Sequence, residues 1–519
     1  MSEKEYIVTL NKGVDPASFA AEMTQSTGSS TVPNRSVDVA NARLASNRNT
    51  HYALSEAEAE ALKNDSRVMD VAVPPDQDDT LEIGHFATQD ANWQKTSSDT
   101  GDYTNWGLYR CHFANNPYPN TLNATPNSTE PFRYSLDGSG VDVVIQDSGL
   151  QMDHPEFTDE FGGYRTQAID WYDGFSGGGT QNANHYRDYN GHGTHCGGIA
   201  AGKTYGWAKA AEIYSVKVSG LEGSGDSGTG ISVTDCFDVI KEWHNAKPVS
   251  PTTGKKRPTV VNMSWGYGRS YTSVSEINYR GVSETGTAIA TTDQWYDFGL
   301  VPNLVGLSTY QTNVRIASVD TDVEELIDAG VHVCIAAGNR AHKVDVSGGL
   351  DYDNFAVLSS GTTYYHRGSS PYSTRALMTG NIEADMHSDT LERLRSSSEK
   401  GPGVDIYAPG SDIMSASSNT NEFTTGAYHL NSSFRQMNIS GTSMASPQVC
   451  GVIATILQAN PGATPEQIRT YIHNNAQTGK LYTDGTTDNY QDTSGILNGP
   501  NRYLFTPFNL SIVGQIGRR

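Results

Sequence analysis

Ser443 stands in Gly441-Thr442-Ser443-Met444-Ala445-Ser446-Pro447, framed by small residues just ahead of the apolar run Val449 to Leu457. A helix starting there leaves its first backbone N–H groups free and surrounds the hydroxyl with the positive end of its dipole, a setting that stabilises an oxyanion. A hydroxyl is a poor nucleophile at neutral pH, so it needs a general base, and the base needs an orienting carboxylate. His192, in Asn190-Gly191-His192-Gly193-Thr194-His195-Cys196-Gly197-Gly198, is the candidate base, with His195 as its competitor. Asp147, in Val143-Val144-Ile145-Gln146-Asp147-Ser148-Gly149, leaves a continuous apolar run and is the candidate carboxylate. The order Asp, His, Ser argues against an α/β-hydrolase, in which the serine comes first.

These residues need a scaffold, and the apolar pattern supplies one. Val141 to Ile145, Ile213 to Val218, Thr259 to Met263 and Val331 to Ile335 read as buried strands. Between them, Val233, Cys236, Phe237, Ile240 and Trp243 fall on one helical face. Alternation of this kind predicts an α/β fold, a parallel sheet with helices on both faces. Ligands of such sheets bind beyond the carboxyl ends of the strands, where Asp147, Ser264 and Asn339 all stand.

The run Arg187 to Cys196, its continuation through Thr204-Tyr205-Gly206 and Val216-Lys217-Val218, the serine motif and Ala336-Ala337-Gly338-Asn339 carry a family resemblance. From Trp106 to Tyr503 the chain resembles subtilisin-like serine peptidases (subtilases), and the proteinase K branch most closely. The resemblance implies a subtilisin-like fold and a serine endopeptidase with Asp147, His192 and Ser443 as its triad. It makes Asn339 the side-chain donor of the oxyanion hole, opposite the Ser443 N–H. It favours His192 over His195 as base, the glycines beside His192 letting substrate backbone approach, and assigns His154 a non-catalytic position. Protein or peptide substrates would lie as an added strand between Gly223-Ser224-Gly225 and Ser264-Trp265-Gly266. Ser264 to Gly266 and Ala336, Ala337 and Gly338 would wall a slot for an apolar or aromatic side chain just before the scissile bond. Trp265 and Ser227 would border a more distal pocket. The same resemblance implies a structural calcium at Asp405, with backbone carbonyls near Thr374 and Ala376. No catalytic cofactor is expected. An inactive relative kept for binding or structure is the alternative, disfavoured by the intact triad and Asn339.

The first 76 residues differ in character. Tyr6 to Leu10 and Val68 to Val73 read as strands, Asp15-Pro16 opens a helix, and Ser55-Glu56-Ala57-Glu58 is a capping box for a second helix to Leu62. This small α+β pattern resembles the inhibitory propeptide of subtilases, which makes it the enzyme's own partner. Residues 77–105 read as a polar linker holding any maturation cut, and 106–519 as the catalytic domain. Within it, Arg269 to Tyr310, Ala341 to Ser370 and Ser415 to Arg435 are polar insertions expected as surface loops.

Composition sets outer bounds. A net charge of −22 over 519 residues argues against nucleic acid or an anionic membrane as partner. No stretch approaches the ~20 apolar residues of a membrane span. Five cysteines without paired spacing predict free thiols. Met1 to Lys4 lead into the first strand without a signal-like segment, which favours an enzyme acting inside a cell or in a particle such as a virion over an exported one.

Overall fold

The computed structural model describes residues 3–43, 45–85, 87, 105–119, 124–127, 132–169, 184–226, 231–302, 309–483 and 495–506. Ser227 and most of the 77–105 segment lie outside them.

The central sheet is built on the strand Asp142–Asp147, buried along its whole length. It pairs in parallel with Glu212–Lys217 on one side and Thr259–Met263 on the other. The sheet grows outward to Thr166–Ala168 beyond the first, and through His332–Ala336, Leu377–Met386, Ile406–Pro409 and Arg502–Tyr503 beyond the second. Strand order therefore reverses at Asp142–Asp147, which puts Asp147 at the switch point where α/β sheets hold ligands.

Side chains alternate across this sheet into two cores, as period-two geometry requires. Val143 and Ile145 join one cluster with Ile199, Val449 and Ile453 from the helices His192–Ala201 and Thr442–Ala459. Val144 points to the other cluster, with Cys236, Phe237 and Ile240 of the helix Val233–Ala246 and Val319 and Val323 of Ala317–Asp328. The α/β expectation of helices on both faces is met. All five cysteines are free and buried. Among the described residues no helix is long and apolar enough to cross a membrane.

The N-terminal region folds as a four-stranded antiparallel sheet, in the order Val39–Asn41, Asn49–Leu54, Lys4–Leu10, Val68–Ala72. Two helices close its own core of Val8, Phe19, Tyr52, Leu54 and Leu62. Asp15 caps the first through Ser18 N–H, and the Ser55–Glu58 capping box opens the second. This unit rests on the helices Val233–Ala246 and Ala317–Asp328, and its Arg43 is fully buried there. The Arg43 guanidinium donates to Asp238 at 2.7 Å and to Asp322 at 2.9 Å.

Two expectations change. Part of the supposed linker, Glu82–His85, is a strand, here the tail strand. It pairs antiparallel with Trp265–Tyr271, the cleft strand, with His85 opposite Trp265 and Glu82 opposite Gly268. The polar insertions also fold rather than remaining loops. Val274–Tyr279, Val282–Thr285, Phe355–Leu358 and Gly361–Tyr364 make a second antiparallel sheet over a core of Tyr271, Ile277, Trp295 and Tyr365. Gly426–Tyr428 and Asn431–Ile439 extend Ile413–Ser417. Their apolar residues are too widely spaced for a run, so the sequence reads as polar.

Candidate active site

His192 begins its helix directly beneath the end of the Asp147 strand. Its Nδ1 lies 2.8 Å from Asp147 Oδ1, and both side chains are fully buried. Sequence reading missed what sets this geometry. Buried Asp188 accepts from the backbone N–H of Gly191 (2.7 Å) and Thr194 (2.9 Å) at the helix start, and from Ser148 Oγ (2.9 Å). One carboxylate thus caps the histidine helix, where negative charge is favoured, and ties it to the residue after Asp147. The glycine after His192 also serves this packing, since a Cβ on Gly193 would meet the carbonyl oxygen of Gly149 at 2.1 Å.

Burial lowers the His192 pKa to about 3 and raises that of Asp147 to about 6. At pH 7 the pair is therefore a carboxylate and a neutral imidazole. With Nδ1–H donated to Asp147, Nε2 keeps its lone pair; it is buried and makes no hydrogen bond among the described residues. His195 is structural as expected, its Nε2 lying 3.0 Å from Ile413 O and 3.1 Å from Met437 O. His154 bonds Arg435 O at 2.8 Å, away from the pair.

Ser443 occupies the second position of the helix Thr442–Ala459, which contains Pro447. Proline has no N–H to give the carbonyl four residues back, which is that of Ser443. That carbonyl accepts instead from Ser264 Oγ at 3.0 Å and Cys196 Sγ at 3.4 Å. In return the Ser443 hydroxyl donates to Ser264 O at 2.9 Å. The serine helix and the residue entering the cleft strand are thereby locked together, and Ser264 acquires a positioning role that its motif alone does not reveal. Asn339 has its amide oxygen taken by Thr442 N–H and Oγ1, both at 3.1 Å, which leaves Nδ2 as a donor beside the serine.

The expected substrate segments divide. Ser264 immediately precedes the cleft strand, Trp265 and Gly266 open it, and Trp265 and Gly266 pair with the tail strand. Ile83 packs against the cluster of Leu221, Trp265 and Tyr267, and Gly220 lies close enough that a Cβ there would meet Ile83 at 2.5 Å. Among the described residues Gly223, Ser224 and Gly225 make no strand pairing with the tail, and Glu422 accepts the Ser224 N–H and hydroxyl, each at 2.9 Å. Ala336 ends a sheet strand, Ala337 is buried behind it, and Gly338 N–H donates to Thr442 Oγ1 at 3.0 Å.

At the end of the tail strand, the His85 ring stacks on that of His192 with centroids 3.9 Å apart, and His85 Nδ1 lies 3.6 Å from Asp147 Oδ1. Burial, with the neighbouring His192, lowers the His85 pKa to about 3.

The calcium expectation fits poorly. Asp405 Oδ1 accepts from the Arg469 guanidinium, with His473 Nε2 at 3.5 Å, and Oδ2 accepts from Met378 N–H at 3.1 Å. Ala376 is buried nearby and Thr374 is exposed. A protein cation already answers the carboxylate that an ion would use.

Residues 138–495 match the family described as Subtilase family. Alkaline serine exoprotease A of Vibrio alginolyticus is 27% identical over 429 residues, covering 82% of this chain and 55% of that protein. An extracellular serine proteinase of a Thermus species is 28% identical over 378 residues, covering 73% of this chain and 62% of its own length. The chain thus spans little more than half of the curated relatives it matches first. Among solved structures, fervidolysin from Fervidobacterium pennivorans, a keratinolytic enzyme related to subtilisin, superposes with TM-score 0.54 at 15% identity, over 98% of this chain and 62% of that one. That likeness speaks for the fold alone. The family match covers well over half of the 519 residues and contains Asp147, His192, Asn339 and Ser443, and the chain belongs to the subtilase family.

Proposed function

We propose that this protein is a serine endopeptidase that hydrolyses peptide bonds through an acyl-enzyme. The observation that carries this reading is the 2.8 Å Asp147–His192 pair set beside a helix-start serine. His192 Nε2 takes the Ser443 proton as Oγ leaves the Ser264 carbonyl and attacks the peptide carbon. Asp147 holds the imidazolium that results, and the developing oxyanion is met by a backbone donor and a side-chain donor, the N–H of Ser443 and Nδ2 of Asn339. His192 then returns the proton to the leaving amine, and water repeats the sequence on the ester.

Substrate lies on the cleft strand as the tail strand does, held by backbone pairing, with an apolar or aromatic residue just before the scissile bond. Residues 1–76 and the tail strand act as an inhibitory propeptide, and 106–519 as the catalytic domain. The bonds that follow His85 in the sequence are His85–Phe86 and Phe86–Ala87, and Phe86 is the aromatic residue such a slot would take. We therefore assign the maturation cut to Phe86–Ala87. A proteinase K-like calcium site at Asp405, Thr374 and Ala376 enters this reading only if the ion displaces Arg469.

A chromogenic peptide with an aromatic residue before the scissile bond tests the activity. Wild type should cleave it and lose that activity to an active-serine sulfonyl fluoride. Ser443→Ala should fall by about 10⁴–10⁶. Residual activity above about a thousandth of wild type would remove Ser443 from the mechanism.

A further inference from the structure

The tail strand carries a charged side chain whose partners form a built subsite. Glu82 Oε1 accepts from Ser270 Oγ at 2.5 Å, and Oε2 accepts from Gln311 Nε2. The orientation of the Gln311 amide is fixed from behind, because its oxygen accepts from Arg340 Nη2 at 3.1 Å. An amide oxygen facing a guanidinium leaves its NH₂ facing outward, so this position can donate and cannot accept. Arg340 in turn donates through Nη1 to Asn313 Oδ1 at 3.0 Å, and Asn313 Nδ2 donates to Glu399 at 2.8 Å. Space for the guanidinium comes from the strand residue opposite Glu82, since a Cβ on Gly268 would lie 2.5 Å from Arg340 Nη2. A hydroxyl donor, an amide donor and a cation thus converge on one side-chain position of the added strand, four residues upstream of Phe86.

We propose that this is a specificity subsite selecting Glu or Asp at the fifth residue before the scissile bond, formed by Ser270 and Gln311 and backed by Arg340. It rests on the reading of the tail strand as occupying the substrate's place. Selection is by charge and donor geometry: a carboxylate takes both donors, whereas lysine or arginine would face the Gln311 NH₂ and the Arg340 cation, with the Ser270 hydroxyl as the one group able to turn and accept. The subsite lies at the rim, where Glu82 is exposed, so its contribution is moderate and screened by salt.

The test has two arms. In the full-length Ser443→Ala chain, Glu82→Lys should lower hydrogen-exchange protection of the tail-strand amides, while Glu82→Asp keeps it; this arm needs no catalysis. In processed enzyme, peptides differing only at the fifth position should rank Glu, Gln, Lys in kcat/KM, with about three- to tenfold between the first two at low salt. Gln311→Leu should flatten that ranking, and 1 M salt should compress it. Unchanged protection in Glu82→Lys overturns the proposal whatever the enzyme does to peptides. Equal cleavage of all three peptides overturns it with the peptidase reading intact. Failure to cleave any peptide would remove the peptidase reading and, with it, the subsite as a device of substrate selection.

Discussion

The N-terminal region touches the rest of the molecule in two ways that contrast physically. Its folded sheet is anchored by charge: Arg43 is buried between Asp238 and Asp322, Asn49 Nδ2 donates to the same Asp322 oxygen at 2.9 Å, and Lys241 reaches across to Ala45 O at 2.7 Å. Its tail is laid on the cleft strand by backbone pairing, with Gly84 opposite Gly266. The anchor demands particular side chains, because an unmatched buried charge is costly. Backbone pairing makes no such demand, since any chain that can extend offers the same N–H and C=O groups. One segment is thus held specifically through side chains while its tail is held through backbone groups that any extended chain offers.

The anchor should break most severely. Arg43→Met leaves Asp238 and Asp322 buried without their cation, a loss of about 3–5 kcal/mol. Hydrogen exchange should then show the N-terminal sheet undocked, with the helices Val233–Ala246 and Ala317–Asp328 newly exposed. Adding Asp322→Asn should recover part of the loss by removing one stranded charge. Unaltered protection in Arg43→Met would mean that the sheet is held by something other than this cluster.

A smaller effect separates the two contacts by pH. Docked His85 has its pKa lowered to about 3, whereas a free histidine titrates near 6.5. The undocked tail therefore binds a proton that the docked tail refuses. Docking is undisturbed above about pH 6.5 and weakens as pH falls below it, by up to about tenfold per unit. Asp147 and His192 face His85, and Asp147, raised to about 6 by burial, takes up a proton in the buried state and so offsets part of the effect below pH 6. In full-length Ser443→Ala, tail protection corrected for intrinsic exchange should fall between pH 7 and pH 5, and His85→Phe should make that fall shallower. A pH-independent tail would contradict the burial of His85 against the pair.

Much of this was legible in sequence because it rests on local rules. The apolar runs marked the sheet strands, Asp15-Pro16 and the Ser55 capping box marked helix starts, and the glycine-framed motifs marked His192, Asn339 and Ser443. What was not legible depends on residues far apart in the chain. Asp188 reads as one more surface acid, and only folding shows it bridging Ser148 and the histidine helix. Arg469 sits 64 residues from Asp405, so the sequence offered only the calcium that the family resemblance implies and not the guanidinium that stands there. Leu81, Ile83 and His85 alternate as a strand would, but four residues are too few to stand out from a polar stretch.

Intact mass of the purified protein decides whether the tail strand lies as a substrate would. Wild type should resolve into two fragments, the smaller ending at Phe86, while Ser443→Ala remains one chain of full mass. Wild type and Ser443→Ala both remaining whole and equally active, or both being cut at the same bond, would contradict it.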